Sequence, residues 1–331
     1  MGNVIKKQSI KKIEESAFYS PKHLQIETVN KLCNAKCAMC TIFTNKRKAK
    51  IMNLETFKKI IDKFVPYKEV IEFLTLHGCG EPLLDKTLSE KINYAKKNGF
   101  KGIGFSTNAG LLTSKISENL LEAGVDTLIF SIDGFSKEVQ EKIRLNAGSF
   151  EKIYDNVKNY IKIRNSKNYK SRILIRMIRQ KLNYEQWDDY YKYWSNYISK
   201  DKGDDIIRFD IHNCGGKVKE YAEMSLPESL QCNSNFISSS KVKVCPDLFE
   251  RFIIFSDASI GFCSTDQDGY FDFPNILDDE IHNIFNHQIF NNYRKIWLKG
   301  GGNTLKYCAD CNVINSRNNK TIPMIRSVGE I

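Results

Sequence analysis

Cys33-Asn34-Ala35-Lys36-Cys37-Ala38-Met39-Cys40 places three thiols within eight residues, spaced C-x3-C-x2-C. Thiolates are soft ligands that suit iron–sulfur clusters or zinc. A closed zinc site takes a fourth ligand, usually from a second C-x2-C or H-x3-5-H pair. None stands nearby, since His23 precedes Cys33 by ten residues and the next histidine is His77. Three thiolates on a four-iron cube leave one iron open, and an open iron binds substrate or cofactor directly. Chance cysteines and part of a zinc site are the alternatives.

Outward from this stretch, extended apolar segments alternate with helical ones, the pattern of βα units on a parallel sheet. The strand readings are His23–Asn30, Val70–His77, Gly102–Asn108, Thr127–Asp133, Arg172–Ile178 and Ile207–Asn213. Helical patterns fall at Leu54–Phe64, Leu88–Asn98, Thr113–Ala123, Glu138–Arg164 (interrupted near Asn146-Ala147-Gly148) and Tyr184–Ile198. Thr113 and Ser136 read as N-caps, Gly99 and Gly124 as C′ stops. Six such units make an open, partial barrel. Several strands alternate polar and apolar residues, with period two placing the polar ones on one face. That face holds Thr75 and His77; Gly104, Ser106 and Asn108; Ser131 and Asp133; Arg176; and Arg208, Asp210 and His212. With the apolar face against the helices, the polar face lines a lumen, which needs water, cofactor or substrate to satisfy it. Barrel enzymes place their chemistry at the C-terminal strand ends.

The 331 residues suffice for a full core, and the hydrophobic fraction of 41% is ordinary for a globular protein. No run of eighteen apolar residues exists and the Lys-rich start lacks an apolar h-region, so neither a membrane span nor a secretory signal is expected. Ten cysteines, several at ligand spacing, suit a reducing cytoplasm. The net charge of +11 favours anionic partners in principle, but the lysines are scattered apart from Lys46-Arg47-Lys48-Ala49-Lys50. With no nucleic-acid module in view, no nucleic-acid partner is expected.

The spacing of Cys33, Cys37 and Cys40, followed after the second strand by Gly78-Cys79-Gly80-Glu81-Pro82, resembles the radical SAM superfamily over roughly residues 22–312. The resemblance implies a [4Fe–4S] cluster on the three cysteines, its open iron chelated by S-adenosylmethionine (SAM). Gly78 and Gly80 would let the backbone approach the methionine moiety, and Glu81 would accept from the SAM ammonium. Ser106-Thr107-Asn108 and Ser131-Ile132-Asp133-Gly134 resemble the family segments near the SAM carboxylate and ribose. Met39 departs from the aromatic often found before the third cysteine and would pack on adenine. Arg176 would hold the SAM carboxylate or a substrate phosphate, or pair with a carboxylate inside the barrel.

A second set, Cys245, Cys263, Cys308 and Cys311, is spaced C-x17-C-x44-C-x2-C. Four thiolates close a [4Fe–4S] cluster or a zinc site. The order resembles the short twitch form of the SPASM domain, which implies one auxiliary [4Fe–4S] cluster. Ser256–Gly261 reads as a hairpin turn between strands at Phe252–Phe255 and Phe262–Ser264. The fold class is therefore α/β, a partial (β/α)6 radical SAM barrel with a small C-terminal cysteine-rich twitch/SPASM-like subdomain. Its parts are a leader (1–22), barrel (23–216), connecting segment (217–244), auxiliary domain (245–312) and tail (313–331).

The spacing is most like the 2-deoxy-scyllo-inosamine dehydrogenase type, which implies oxidation of a sugar, cyclitol or sugar nucleotide, with a flavodoxin- or ferredoxin-type electron donor. Asp210 and His212 are candidate bases for a hydroxyl proton. Cys214, after the last strand, would donate a hydrogen atom in an epimerase, or be a bystander. Cys232 would do the same work or none, and Cys79 stands where a glycine would serve in its turn. Modification of a ribosomal peptide is a rival, weakened by the 22 residues before the first strand, too few for a recognition domain. Sulfatase maturation would call for a second auxiliary cluster. A non-catalytic protein using both cysteine sets structurally is the rival of another class.

Overall fold

Along the extended segments one residue in two is a large apolar side chain, and these reach a single core. Leu24 and Ile26, Leu74 and Leu76, Ile103 and Phe105, Leu128 and Phe130, and Ile173, Ile175 and Met177 all belong to it. This period-two burial fixes which face meets the helices. The computed structural model describes residues 19–231 and 245–313; the expected leader helix (Ile5–Phe18), Cys232, the end of the connecting segment and the tail beyond Val313 lie outside them.

The main sheet has eight strands: β1 (His23–Ile26), β2 (Phe73–Thr75), β3 (Ile103–Thr107), β4 (Thr127–Ser131), β5 (Arg172–Arg179), β6 (Asp205–Asp210), β7 (Arg251–Ile254) and β8 (Ile260–Gly261). They lie in the order β6-β5-β4-β3-β2-β1-β7-β8. The pairings from β6 to β7 are parallel, and β8 returns antiparallel to β7. Around them run α1 (Leu54–Phe64), α2 (Leu88–Lys97), α3 (Ser114–Glu122), α4 (Lys137–Ile143), α5 (Phe150–Ser166) and α6 (Trp187–Ser195). The result is the α/β, partial-barrel architecture that the alternation predicts.

Local chemistry sets the helix ends. The Thr113 and Ser136 side chains accept from the N–H groups of Ile116 and Val139, capping α3 and α4. Gly99 and Gly124, at φ +89° and +87°, end α2 and α3 in the left-handed region. The expected long helix from Glu138 breaks at Arg144, where Arg144–Leu145 pairs antiparallel with Lys36–Cys37. Ser149 then caps α5 through the N–H of Lys152. The segment read as Tyr184–Ile198 opens with a 3-10 turn before α6.

Three expectations need correction. First, β1 stops at Ile26, because Val29–Asn30 turns aside to pair with Lys50–Ile51. Second, the hairpin is tighter than expected. Ala258, at φ +69°, donates its N–H to Phe255 O at 2.9 Å, so the return strand is Ile260–Gly261, not Phe262–Ser264. Its first strand, β7, is a member of the barrel sheet, paired along β1 from His23↔Arg251 to Ile26↔Ile254.

Third, β6 ends at Asp210, which leaves His212 in the loop beyond it, and presents the opposite face to the one expected. Arg208 pairs in register with Met177 and Asp210 with Arg179. Met177 lies in the helix-side core, as does Ile206. Arg208 and Asp210 therefore face the helices, and the Arg208 guanidinium stacks on Trp187 of α6 at 4.6 Å. Ile207 faces inward, joining Phe73, Ile129 and Leu174 as an apolar layer across the lumen.

Candidate functional site

The cysteine loop is held by hydrogen bonds along its length. Asn108, at the end of β3, donates from Nδ2 to Asn34 Oδ1 at 2.9 Å and lies 3.8 Å from Cys33 Sγ. Asn34 in turn donates to Ala147 O at 2.9 Å. Arg144 reaches Cys37 Sγ with Nη1 at 3.6 Å and Asp133 Oδ2 with Nη2 at 2.7 Å. The N–H of Ala35 meets Cys33 Sγ at 3.3 Å. Burial pushes Cys33 up to about 11 and Cys40 up to about 12, and raises Cys37 as well. Cys33 and Cys37 are half-buried with N–H donors aimed at their sulfurs, and Cys40 is exposed. The arrangement suits ligation, because bound iron deprotonates a coordinating thiol outright.

Beside this loop lies the turn Gly78–Glu81. Lys31 N donates to Cys79 O at 2.6 Å and Glu81 N to Leu32 O at 2.9 Å, so the turn runs along the chain entering Cys33. A Cβ on Gly80 would stand 2.5 Å from Val29 O, and one on Gly78 would stand 2.4 Å from Glu27 Cγ. Chain packing thus demands both glycines, a second reason beside approach to a cofactor. Glu81 is buried and holds three donors: Thr107 Oγ1 at 2.7 Å, Leu83 N at 3.1 Å and Asn108 N at 3.0 Å. Burial raises its pKa against the pull of these bonds. A carboxylate offers about four acceptor sites, so roughly one remains for another donor.

Glu27 is the hub of this region, and sequence reasoning missed it. It takes Arg47 in a two-pronged pair at 2.7 and 2.8 Å, Cys79 N at 3.0 Å and Ser256 N at 3.1 Å. Arg47 also donates from Nε to Gln267 O at 2.7 Å and lies on the Phe255 ring at 3.6 Å. Gln267 Oε1 receives both Cys79 Sγ and Thr41 Oγ1. One buried ion pair thereby ties the first cysteine loop, the Gly78–Glu81 turn and the β7–β8 segment together.

Above its apolar layer the lumen is polar. His23 Nε2 meets Thr75 Oγ1 at 2.9 Å, Arg251 Nη1 meets Gln25 Oε1 at 2.9 Å, and Arg176 Nη2 meets Ser131 Oγ at 2.6 Å. His77 Nδ1, Ser106 Oγ and Arg176 Nε are buried with no partner among the described residues. Burial lowers His77 to about 3, helped by the charges of Arg176 and Arg251, so its ring is neutral at ordinary pH. Asp133 pairs with Arg144, and its Oδ1 accepts from Ile178 N at 2.7 Å. Met39 packs on Ile143 and Ile211, with Cys37 and Ile178 at the margin.

The second cysteine set flanks β7 and β8 and the end of the described chain. Cys245 and Cys263 border the aromatic group of Phe262, Phe290, Tyr293 and Tyr307. Cys308 follows Tyr307, and Cys311 N donates to Cys308 O at 3.1 Å. Asn213 donates its N–H to Asn312 Oδ1 at 2.9 Å, docking the loop after β6 against this end. In that loop Cys214 Sγ lies 3.3 Å from His212 Nδ1, with Cys214 held at φ +50°. Burial pushes Cys214 up to about 12. Asp210 is elsewhere, paired with Arg179 at 2.9 Å on the helix side.

The structure thus brings Cys33, Cys37, Asn108, Asp133 and Glu81 into one linked network, with Met39 packed beside it and Ser106, Ser131 and Arg176 on the lumen face. It does not bring Asp210 into that lumen. Arg144 and Asn34 were missed, although the break in the helical pattern before Gly148 marked the segment that delivers Arg144. Among the described residues no three His, Cys, Asp or Glu side chains converge on a single ion. A cube needs no such convergence, since each thiolate holds a different iron. Sulfur-directed donors at the first set and unpartnered lumen atoms fit a cluster with a polar cofactor beside it. Among the described residues no helix is long and apolar enough to cross a membrane.

The Radical SAM superfamily profile matches residues 28–193. A tungsten-containing aldehyde ferredoxin oxidoreductase cofactor-modifying protein of Pyrococcus furiosus is 28% identical over 176 residues, 53% of this chain and 48% of that protein. The chain spans about half the length, or less, of the curated relatives it matches. Among solved structures, BtrN in complex with AdoMet and 2-DOIA is similar with a TM-score of 0.58 at 17% identity, covering 88% of this chain and 93% of that one. SuiB of Streptococcus suis bound to precursor peptide SuiA is similar with a TM-score of 0.63 at 15% identity, covering 94% of this chain and 73% of that one. At those identities the two structures speak to the fold alone.

Proposed function

This chain belongs to the radical SAM superfamily, and from that premise we propose that it dehydrogenates a hydroxyl-bearing carbon of a small polar molecule, a sugar, cyclitol or sugar nucleotide. Cys33, Cys37 and Cys40 would hold a [4Fe–4S] cluster, which with SAM bound would supply a 5′-deoxyadenosyl radical able to take hydrogen from carbon. Arg144 and Asn108 direct donors at the cluster-bearing sulfurs, while the Gly78–Glu81 turn and Met39 wall the cofactor side. The apolar layer of Phe73, Ile129, Leu174 and Ile207 closes the lumen below and keeps water out. The electron entering the first site comes from a flavodoxin- or ferredoxin-type donor.

For a net two-electron oxidation, the substrate loses one hydrogen atom to the radical. His212, beside Cys214 in the loop after β6, would take the hydroxyl proton, and Cys245, Cys263, Cys308 and Cys311 would hold an auxiliary [4Fe–4S] cluster able to accept the last electron. The observation that carries the reading is the set of buried, unpartnered polar atoms on the lumen face, His77 Nδ1, Ser106 Oγ and Arg176 Nε. An apolar substrate would leave them unsatisfied.

A second reading is favoured by the contact between His212 and Cys214. A thiol at the lumen mouth returning hydrogen to the opposite face would make the enzyme an epimerase. Candidate sugars incubated anaerobically in deuterated water separate the two. A new ketone means dehydrogenase, carbon-bound solvent deuterium means epimerase, and neither product with any sugar tried would turn attention to peptide substrates.

A further inference from the structure

The inner face of the sheet holds a guanidinium without a carboxylate. Arg176 on β5 stands in register with Ser131 on β4, and among the described residues its hydrogen-bonding partner is the Ser131 hydroxyl, at 2.6 Å. Its Nε has none. The carboxylates around it are engaged. Asp133 pairs with Arg144 at 2.7 Å and accepts from Ile178 N; Asp247 pairs with Arg251 at 3.0 Å; Glu81 already holds three donors. Burial, with the charge of Arg144, lowers Arg176 to about 10. Two more atoms of the same face, His77 Nδ1 and Ser106 Oγ, are buried and unpartnered. A half-buried cation whose Nε is shut off from water, with no counter-ion among the described residues, is unfavourable, and a neutral imidazole and a hydroxyl both donate readily to an oxyanion. An anionic group on the Arg176 guanidinium would satisfy it and share the Ser131 hydroxyl, while Ser106, in register with Ile129 and Leu174, stands one step deeper along the same face.

We propose that Arg176, with Ser131 beside it, receives an anionic oxygen group of the substrate, a phosphate ester or a carboxylate. The proposal rests on the reading of the lumen as the substrate site and narrows the substrate to an anionic polyol derivative. The register separates this group from the carboxylate of SAM. Ile178, which borders the Met39 and Cys37 contacts, lies two residues further along β5. At the rise of a strand, Arg176 is about 6–7 Å deeper than the layer touching the cysteine loop. A guanidinium there, with its fork of fixed donors, favours a group with two or more oxygens in one plane.

The test uses the anaerobically reconstituted full chain with inorganic phosphate and acetate as probes, titrated calorimetrically, and with SAM binding measured by equilibrium dialysis. Wild type should bind one of the two probes saturably, phosphate indicating an ester and acetate a carboxylate. R176Q should weaken that binding by about tenfold or more while SAM affinity stays within about twofold. S131A, a smaller change, should weaken it severalfold and carries the test if R176Q does not fold. Wild type binding neither probe, unchanged affinity in the folded variant, or a tenfold loss of SAM binding in R176Q would overturn the proposal. Deoxyadenosine formation by wild type is scored separately, so a failure of the catalytic reading stays distinct from a failure of anion binding.

Discussion

E27Q should destabilise the protein by about 3–5 kcal/mol, the range for breaking a buried ion pair by removing one partner. The side chains of Glu27 and Arg47 are 2% and 10% exposed, so solvent cannot replace what is lost. The geometry makes glutamine a poor substitute. Oε1 takes Arg47 Nη2 and Cys79 N, while Oε2 takes Arg47 Nη1 and Ser256 N. Whichever way the new amide sits, its NH2 faces two donors. Denaturant unfolding of the anaerobic protein reads the effect as a shift in midpoint at constant m. R47M should cost a similar amount, and the double variant less than the sum by at least about 1 kcal/mol, because each residue's loss already strands the other. A loss under about 1 kcal/mol in E27Q, or strict additivity, would refute this account of the hub.

Four further outcomes are expected. The folded pKa of His77, about 3, lies below its ordinary 6.5, so between those values only the unfolded chain takes the proton. Its contribution is complete above pH 6.5 and is lost as pH falls, so H77N should lose less stability than wild type between pH 7 and 5; equal losses would contradict this. D204N breaks the wholly buried pair with Arg164, 2.9 Å between Nη1 and Oδ1, and should cost about 3–5 kcal/mol by denaturant unfolding, with deoxyadenosine formed per folded molecule unchanged. D210N should lower stability on the order of 3 kcal/mol yet leave the pH–rate profile of turnover in place, because Asp210 faces Arg179 and the helices. R144M removes a donor to the Cys37 sulfur and should lower the midpoint potential of the first cluster in an EPR-monitored titration, with R144K intermediate; an unmoved potential would contradict the contact.

The cysteine loop, the alternating elements and the helix ends at Gly99, Thr113, Gly124 and Ser136 were legible in the sequence because each is written in local spacing. The face of β6 was not. Period two says which residues share a face but not which face points inward, and an edge strand has a covering neighbour on one side only. There Arg208 finds Trp187 and Asp210 finds Arg179, so polar side chains sit on the helix side without penalty. The pairing of β7 with β1 joins residues more than two hundred positions apart, and no local pattern encodes it. Arg144 and Glu27 escaped for a related reason. An isolated charge among apolar neighbours reads as surface until its buried partners, Asp133 and Arg47, are seen beside it.

Anaerobic reconstitution followed by iron, sulfide and deoxyadenosine assays, on wild type and on C33A/C37A/C40A, tests the central claim most directly. About eight irons per chain in wild type and about four in the variant are predicted for two cubes, with deoxyadenosine formed on reduction only by wild type. Four irons with one zinc would remove the auxiliary cluster and the oxidation routed through it. An intact first cluster that forms no deoxyadenosine from SAM would contradict the account at its root.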